Sequence, residues 1–444
     1  MCMDKLLNFC SEIKAAIGEA DTLSVADARK VVKSINDFLY TNYPDIGTTM
    51  ELGEYREYFS DFHKFWEAYH KEILGCKIDN DKCELVTDAL HSIYVRTSGG
   101  AFKELYNKCG LSNEEVCRVR FLTANQDFRG SRDFSYLATK FKDDKSVFDE
   151  ELIYKDPSDF VREIGISALS QNDKRITYAK TISKFLLDKK CSPYGLIDLY
   201  NRDISQLRAA IISCEGAGYG NKKTDMFLRD MVVLGVWDNV TGFEKIDVAS
   251  DVNTIKVALR TGIIKTEIPL VSSFLDIFCY QYSYIDAMNA SAWRRVWEVW
   301  KSKYPSESID SPCLIDYFVY NVIGKQFCKE ILYQFKCETG AHTFMWHSGR
   351  NKTCQVCLDK GIKKITAQPI AKMMPCSHEE GYIAIHETDY VISLHEKKLD
   401  ECPFKNICEN NRNLQPPKSI SILGQTGWTT AYARKDEGGG GLMA

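Results

Sequence analysis

Between Gly216 and Met231 the chain reads Gly216-Ala217-Gly218-Tyr219-Gly220-Asn221-Lys222-Lys223-Thr224-Asp225-Met226-Phe227-Leu228-Arg229-Asp230-Met231. An amphipathic stretch from Ile204 to Ser213 leads into this segment, and another from Lys222 to Leu234 leads out. Asp203 stands where it would cap the first of them. Glycines at such a turn permit positive φ and close backbone approach. The helix that follows turns its free N–H groups outward, a natural seat for a phosphate. The pattern therefore predicts a helix–Gly-x-Gly–helix hairpin able to clamp a nucleic-acid backbone without reading its bases. Gly216, Gly218, Gly220, Asn221 and Lys223 are its candidate backbone contacts. The lysine spacing and the missing strand before it exclude a Walker loop, and no βαβ pattern surrounds it as a Rossmann fingerprint requires. Taken alone, a glycine turn between two helices is most often purely structural.

The chain has 444 residues, 44% hydrophobic, 12% aromatic and 27% charged, which excludes a mainly disordered chain, a fibre and a membrane bundle. Its net charge of −4 makes it no polycation, so any nucleic-acid contact falls on a local patch. No apolar run approaches the ~20 residues of a membrane span; the longest obvious one is Met231–Trp237. Met1 to Cys10 carries Asp4 and Lys5 and lacks the apolar stretch of a secretion signal. With 17 cysteines and no such signal, the expected location is a reducing cytoplasm, including its nucleoid.

Four regions follow from composition. Residues 1–110 read as a helical extension, with Phe59, Phe62, Phe65 and Trp66 on one buried face and a break at Ser98-Gly99-Gly100. Residues 111–325 alternate amphipathic helical stretches with short polar turns, and few segments alternate with period two. The expected fold is mainly α. Residues 326–412 are rich in Cys and His, among them Cys328, Cys337, Cys354, Cys357, Cys376, Cys402, Cys408, His342, His347, His378, His386 and His395. Charge segregates there: Met345–Pro375 carries a net +5 and Ser377–Cys402 a net −5. Residues 413–444, with Pro416-Pro417 and Gly438–Gly441, read as a flexible tail.

About 25 residues after the hairpin comes Asp251-Val252-Asn253-Thr254-Ile255-Lys256-Val257-Ala258-Leu259-Arg260-Thr261-Gly262. By itself Asp251 is a capping residue for the helix that follows. Together with Gly218-x-Gly220-x-Lys222, the segment resembles the helix-hairpin-helix DNA glycosylase superfamily, the group of endonuclease III, the adenine glycosylase MutY and the 8-oxoguanine glycosylases. The resemblance puts Lys222 on that family's Schiff-base lysine and Asp251 on its catalytic aspartate. Asn253 stands for the usual histidine and Lys256 for the usual arginine. Residues Ser167–Thr177, with Asn172 and Arg175, resemble the opening helix of the core. In the 8-oxoguanine branch that helix fills the gap left by the extruded base and contacts its orphaned partner. Asp316 and Tyr320, one helical turn apart, fall where that branch builds the walls of its base pocket. The resemblance covers roughly residues 155–325. It implies a core of two helical subdomains followed by a Cys-rich metal-binding region.

The chemistry needs these residue types. Cleaving an N-glycosidic bond requires the nucleotide to leave the stack. A lysine amine can then attack C1′ and form a Schiff base. It must be neutral to do so, and a helix N-terminus and a neighbouring cation both lower its pKa. Lys223 is that neighbour, and it becomes the nucleophile if the register is one off. An aspartate stabilises the cationic sugar. The implied activity is a DNA N-glycosylase with AP-lyase activity, acting in base excision repair on double-stranded DNA that carries a damaged or modified purine-type base such as 8-oxoguanine. The rivals are a non-catalytic nucleic-acid-binding module, and a glycosylase for another modified nucleobase in antiviral defence.

Cys354-x-x-Cys357 has metal-knuckle spacing, and Cys402 and Cys408 form a second pair. Four thiolates suit Zn²⁺ or a [4Fe–4S] cluster, and the two stay open. The interval between Cys402 and Cys408 matches the last two cysteines of the clusters in endonuclease III and MutY. Cys376 or His378 could replace a ligand, and Cys328 sits where the cluster family has its first cysteine.

Overall fold

The computed structural model describes residues 74–128, 131–166, 172–266 and 283–328, and shorter segments at 8, 11–12, 49–52, 55–58, 71, 332–340, 342–346, 352–354, 357, 361–362, 365–376, 381–385, 390–393, 402–408 and 432–434. The expectations for Phe59, Phe62, Phe65, Trp66, Ser167–Gln171, His347, His378, His386, His395 and Gly438–Gly441 lie outside the described residues.

The described chain is mainly helical. Its helices are α1 (Asn80–Thr97), α2 (Asn113–Ala124), α3 (Phe134–Asp143), α4 (Glu150–Lys155), α5 (Pro157–Glu163) and α6 (Asn172–Lys189). They continue as α7 (Ile204–Ile212), α8 (Asn221–Val233), α9 (Val252–Thr261), α10 (Ser283–Lys303) and α11 (Cys313–Tyr317), and a π-helix spans Phe318–Phe327. None is long and apolar enough to cross a membrane. The chain forms two compact units. One is Thr87–Asp251 with Asn289–Val319; the other is Met1–Val86, Val252–Met288 and Tyr320–Ala444. The first unit thus begins at Thr87, inside α1, ahead of the composition boundary at residue 110.

In the unit that begins at Thr87, short polar residues start the helices. Ser112 and Glu115 form a reciprocal capping box on α2. Asp133, Asp149 and Asp156 accept backbone N–H groups at the starts of α3, α4 and α5, and Pro157 opens α5. Asp203 caps α7 as its position in the sequence suggests, accepting from Ser205 N and Gln206 N. Hydrogen bonds from Ser205 and Gln206 hold its carboxyl down at about 2 against the cost of desolvation. The core is aromatic. Phe227 packs between Phe121 and Trp237, with ring centroids 5.2 and 5.6 Å away, and all three are fully buried. A second aromatic group joins Phe102 to Trp300 and Phe318, each at 5.2 Å. Truncating one such ring to alanine costs about 3–5 kcal/mol, so these groups fix the helices around them.

The other unit carries the strands. Residues 1–110 are not helical throughout: β1 (Thr49–Leu52) and β2 (Tyr55–Tyr58) pair antiparallel there. The tail is not all linker either, because β11 (Tyr432–Arg434) pairs with β2 through Tyr432↔Glu57 and Arg434↔Tyr55. Backbone pairing of this kind needs no apolar signal, which is why composition misses it. β3 (Lys77–Ile78) pairs with β4 (Ile264–Lys265), fastened by Lys265 to Asp79 at 2.6 Å. On α9, Lys256 Nζ and Arg260 Nη1 both donate to the carbonyl of Cys328, at 3.2 and 3.1 Å.

Residues 332–393 build an antiparallel sheet from β5 (Leu332–Cys337), β6 (Thr343–Trp346), β7 (Lys352–Thr353), β8 (Thr366–Cys376), β9 (Gly381–Ile385) and β10 (Tyr390–Ser393). The order is β10-β9-β8-β5-β6, with β7 also on β8. Pro369, which has no N–H to give a ladder, stands opposite the register shift at Gln334/Phe335.

Candidate active site and candidate metal centre

The Gly216–Gly220 turn joins α7 to α8 as the sequence suggests, and its residues alternate between inward and outward. Ala217 and Tyr219 are buried; Gly216 and Gly220 are exposed. Asn125 Nδ2 donates to the Ala217 carbonyl at 2.9 Å. Tyr219 stacks on Phe121, centroids 5.5 Å apart, and its hydroxyl donates to the Phe121 carbonyl. Gly218 has φ +72°, and a Cβ there would lie 2.4 Å from the Tyr178 ring, so only glycine fits. Gly220 differs: a Cβ there meets nothing within 4 Å. The space before the first turn of α8 is open to a partner.

The two lysines of that turn divide their roles. Lys222 is exposed. Lys223 Nζ donates to the Asp127 carbonyl and lies 3.9 Å from the Asp127 carboxylate. Burial lowers the Lys223 pKa to about 8, Asp127 opposes the fall, and Lys222, Arg120 and Arg175 add to it. Asp127 is held below its usual range: burial works to raise it, but Lys223 and Arg120 outweigh that. Lys223 therefore fastens the hairpin to the end of α2 and is not presented outward. Asn221 is exposed, with its Oδ1 accepting from Arg208 Nη2 at 3.0 Å. Arg208 also pairs with Asp225, locking α7 to α8.

Beneath this turn lies a buried charged network. Arg229 pairs with Asp316 through Nη1 and with Asp230 through Nη2 at 2.7 Å. Asp230 also accepts from Arg120 Nε at 3.1 Å and the Tyr106 hydroxyl at 3.0 Å. Removing one member of such a pair costs about 3–5 kcal/mol, because the other charge stays buried. Asp316 is not a solvated residue on an amphipathic helix, since its residue is only 5% exposed. Burial pushes its carboxyl up to about 7. Arg229 and Lys222 pull it down, and Asp251 and Asp230 push it further up. Lys222 and Asp251 thus each act on the Asp316 carboxyl, and all three belong to one unit. Asp251, half-buried, directly precedes α9.

Two expected contacts take other forms. Arg175 does not reach outward to a base. It is fully buried, donates to the carbonyls of Gln126 at 2.7 Å and Phe128 at 3.1 Å, and lies 3.6 Å above the Phe128 ring. That side chain is a brace between α6 and the end of α2. Asn172, the first residue of α6, has a buried Oδ1 without a hydrogen-bond partner. Asn253 lies in the first turn of α9. Tyr320 follows the end of α11 at Tyr317, so the α-helical repeat that placed it on one face with Asp316 stops before reaching it.

The cysteine region assembles one group of ligands from two turns. β5 ends at Cys337 and β6 begins after His342, and Cys337 N donates to the His342 carbonyl across that turn at 3.0 Å. Ala367 of β8 pairs with Cys337 on one side and with Lys352 of β7 on the other. Cys354, next after β7, is brought alongside Cys337. Cys354 N donates to the Ile365 carbonyl at 2.7 Å, and Ile362 N to the Cys357 carbonyl at 2.9 Å, closing the second turn. The three sulfurs and the histidine nitrogen all lie within 4.8 Å of one another and could hold a metal ion. Cys354 and Cys357 are in this group as the sequence suggests. Cys402 and Cys408 are not: they close a separate turn around buried Phe404, where Cys408 N donates to the Phe404 carbonyl at 3.0 Å. Among the described residues, Cys328 also stays outside.

No protein-family model matches the chain, and no curated protein matches it either.

Sequence reasoning missed Cys337 and His342 as ligands, although the four residues between them, a spacing that a turn can close, were a usable signal. It also missed Asp127, Arg120, Tyr106, Asp230 and Arg229. Tyr106 and Arg120 reach Asp230 from 124 and 110 residues away, and no local pattern marks such contacts.

Proposed function

We propose that the chain is a DNA N-glycosylase with lyase activity built on a helix-hairpin-helix core, with Lys222 as nucleophile and Asp251 as the stabilising carboxylate. The observation that carries this reading is an exposed lysine in the first turn of α8 whose charge, like that of Asp251, is felt by buried Asp316. The hairpin holds a DNA backbone on its exposed glycines and the open N-terminus of α8, while the target nucleotide leaves the stack. The Lys222 amine attacks C1′, and the N-glycosidic electron pair leaves with the base, which takes up a proton. Loss of the amine protons and ring opening give the imine. Removal of a C2′ proton then expels the 3′ phosphate, and water releases the enzyme. Asp251 stabilises the positive charge that develops on the sugar. Lys223, held to Asp127, positions the hairpin and keeps a second cation beside Lys222. Asp316, whose pKa burial pushes up and which Arg229 pairs, forms one wall of the base pocket in this reading.

Borohydride reduction on labelled duplexes carrying 8-oxoguanine, uracil or an abasic site tests this. A covalent adduct is expected with the wild type and is lost in Lys222→Gln, with cleavage falling roughly 10³-fold or more. Tight binding without any adduct would leave a non-catalytic nucleic-acid-binding module in its place.

A further inference from the structure

The sequence leaves Zn²⁺ and a [4Fe–4S] cluster open, and the donors that come together do not fit the cluster. A cubane takes one thiolate on each of four irons, which spreads the ligands around a wide body. Here three thiols and an imidazole converge on one point. His342 Nδ1 lies 3.7 Å from Cys337 Sγ, 4.0 Å from Cys354 Sγ and 3.4 Å from Cys357 Sγ. A single tetrahedral zinc, with Zn–S near 2.3 Å and Zn–N near 2.0–2.1 Å, sets its sulfur and nitrogen ligands about 3.6 Å apart. The observed separations scatter around that edge length. Borderline-soft thiolate and imidazole donors, with no carboxylate or carbonyl among them, suit zinc better than a hard cation.

We propose that Cys337, His342, Cys354 and Cys357 bind one Zn²⁺ as a closed structural site that holds the β5–β8 sheet, and that the chain carries no iron–sulfur cluster. The packing gives the reason. The buried group at this end of the sheet is Phe335, Cys337, Cys354, Cys357 and Ala367, with Ile365 against it. Three of its five buried members are ligand cysteines. Among the described residues, the apolar members beside these cysteines are Phe335, Ala367 and Ile365, so an ion at this point would add strongly to the support of the sheet. The set has no open fourth position, so water has no place on the metal and the site is not a catalytic one. The ligands come in two pairs, each on a turn closed by backbone hydrogen bonds, so the ion cross-links β5–β6 to β7–β8.

Metal analysis of the purified full chain, prepared anaerobically and in air, tests this together with cobalt substitution. Expected are one zinc per chain, no stoichiometric iron or acid-labile sulfide in either preparation, and cobalt d–d bands of tetrahedral strength. Cys402→Ser with Cys408→Ser should keep the full zinc content. Cys354→Ser should lose it, and His342→Cys, which supplies a fourth thiolate, should keep it. Iron and sulfide in equal amounts, loss of zinc in the Cys402/Cys408 variant, or metal-free protein from both preparations would each overturn the proposal. Cys354→Ser need not fold, because the wild-type stoichiometry and the Cys402/Cys408 variant decide the question without it. The glycosylase reading survives any of these results, since it uses none of these ligands.

Discussion

The hairpin unit and the Cys-rich sheet solve the same problem, fixing a turn, by opposite means. Around the hairpin, Ala217 and Tyr219 plug into a core with Phe121, Phe227 and Trp237, and Asn125 and Lys223 tie the turn to α2. The turn needs no further support, which leaves Lys222 exposed and its chemistry unspent. In the sheet, the buried group behind the turns at Cys337–His342 and Cys354–Cys357 is, among the described residues, Phe335, Cys337, Cys354, Cys357 and Ala367, and three of these are thiols that chemistry could use.

The contrast is open to attack at several points. The largest effect is expected from stripping the metal with a strong chelator. Amides of β5, β7 and β8 should then lose their protection in hydrogen exchange, while amides of α7 and α8 keep theirs. Equal loss in both would show that the hairpin is not self-supporting. Next in size is Gly218→Ala. Positive φ and the close Tyr178 ring together should cost about 3 kcal/mol or more, whereas Gly220→Ala should cost under about 1 kcal/mol. Denaturant unfolding of the two variants separates them, and similar costs would contradict the division of roles within the turn.

A smaller effect concerns pH. Asp316 has its folded pKa raised to about 7 from 3.8. A carboxyl raised on folding contributes stability below its unfolded value, and that contribution fades as pH rises through 7. Melting temperatures of Asp316→Asn should therefore show a weaker decline than the wild type between pH 4 and 7. An unchanged profile would mean that the Arg229 pair dominates the burial. The smallest effect belongs to the cap. Asp203→Ala should lose about 1 kcal/mol. Because the Asp203 pKa is depressed, to about 2, that stability is present above its unfolded pKa of 3.8 and vanishes as pH falls through 2.

What the sequence made legible was local. Gly218 and the Asp203 cap show in spacing alone, because a turn and a helix start are decided by neighbours. The helical character of residues 111–325 shows in periodicity. Arg175 read as an outward cation, and nothing in Asp173-Lys174-Arg175-Ile176 tells that Gln126 and Phe128 offer it carbonyls from 49 and 47 residues away. Cys402 and Cys408 matched an interval but not a place. The partner of Cys354 is set instead by strand pairing, in which Ala367 joins Cys337 and Lys352 on its two sides. Short strands such as Tyr432–Arg434 carry no periodic signal long enough to count.

The central claim rests on one amine. Peptide mapping of the borohydride-reduced adduct by mass spectrometry tests it directly. The account predicts the added sugar mass on Lys222. An adduct on Lys223 would contradict the division between the two lysines, and an adduct elsewhere, or none on any duplex, would contradict the Schiff-base mechanism itself.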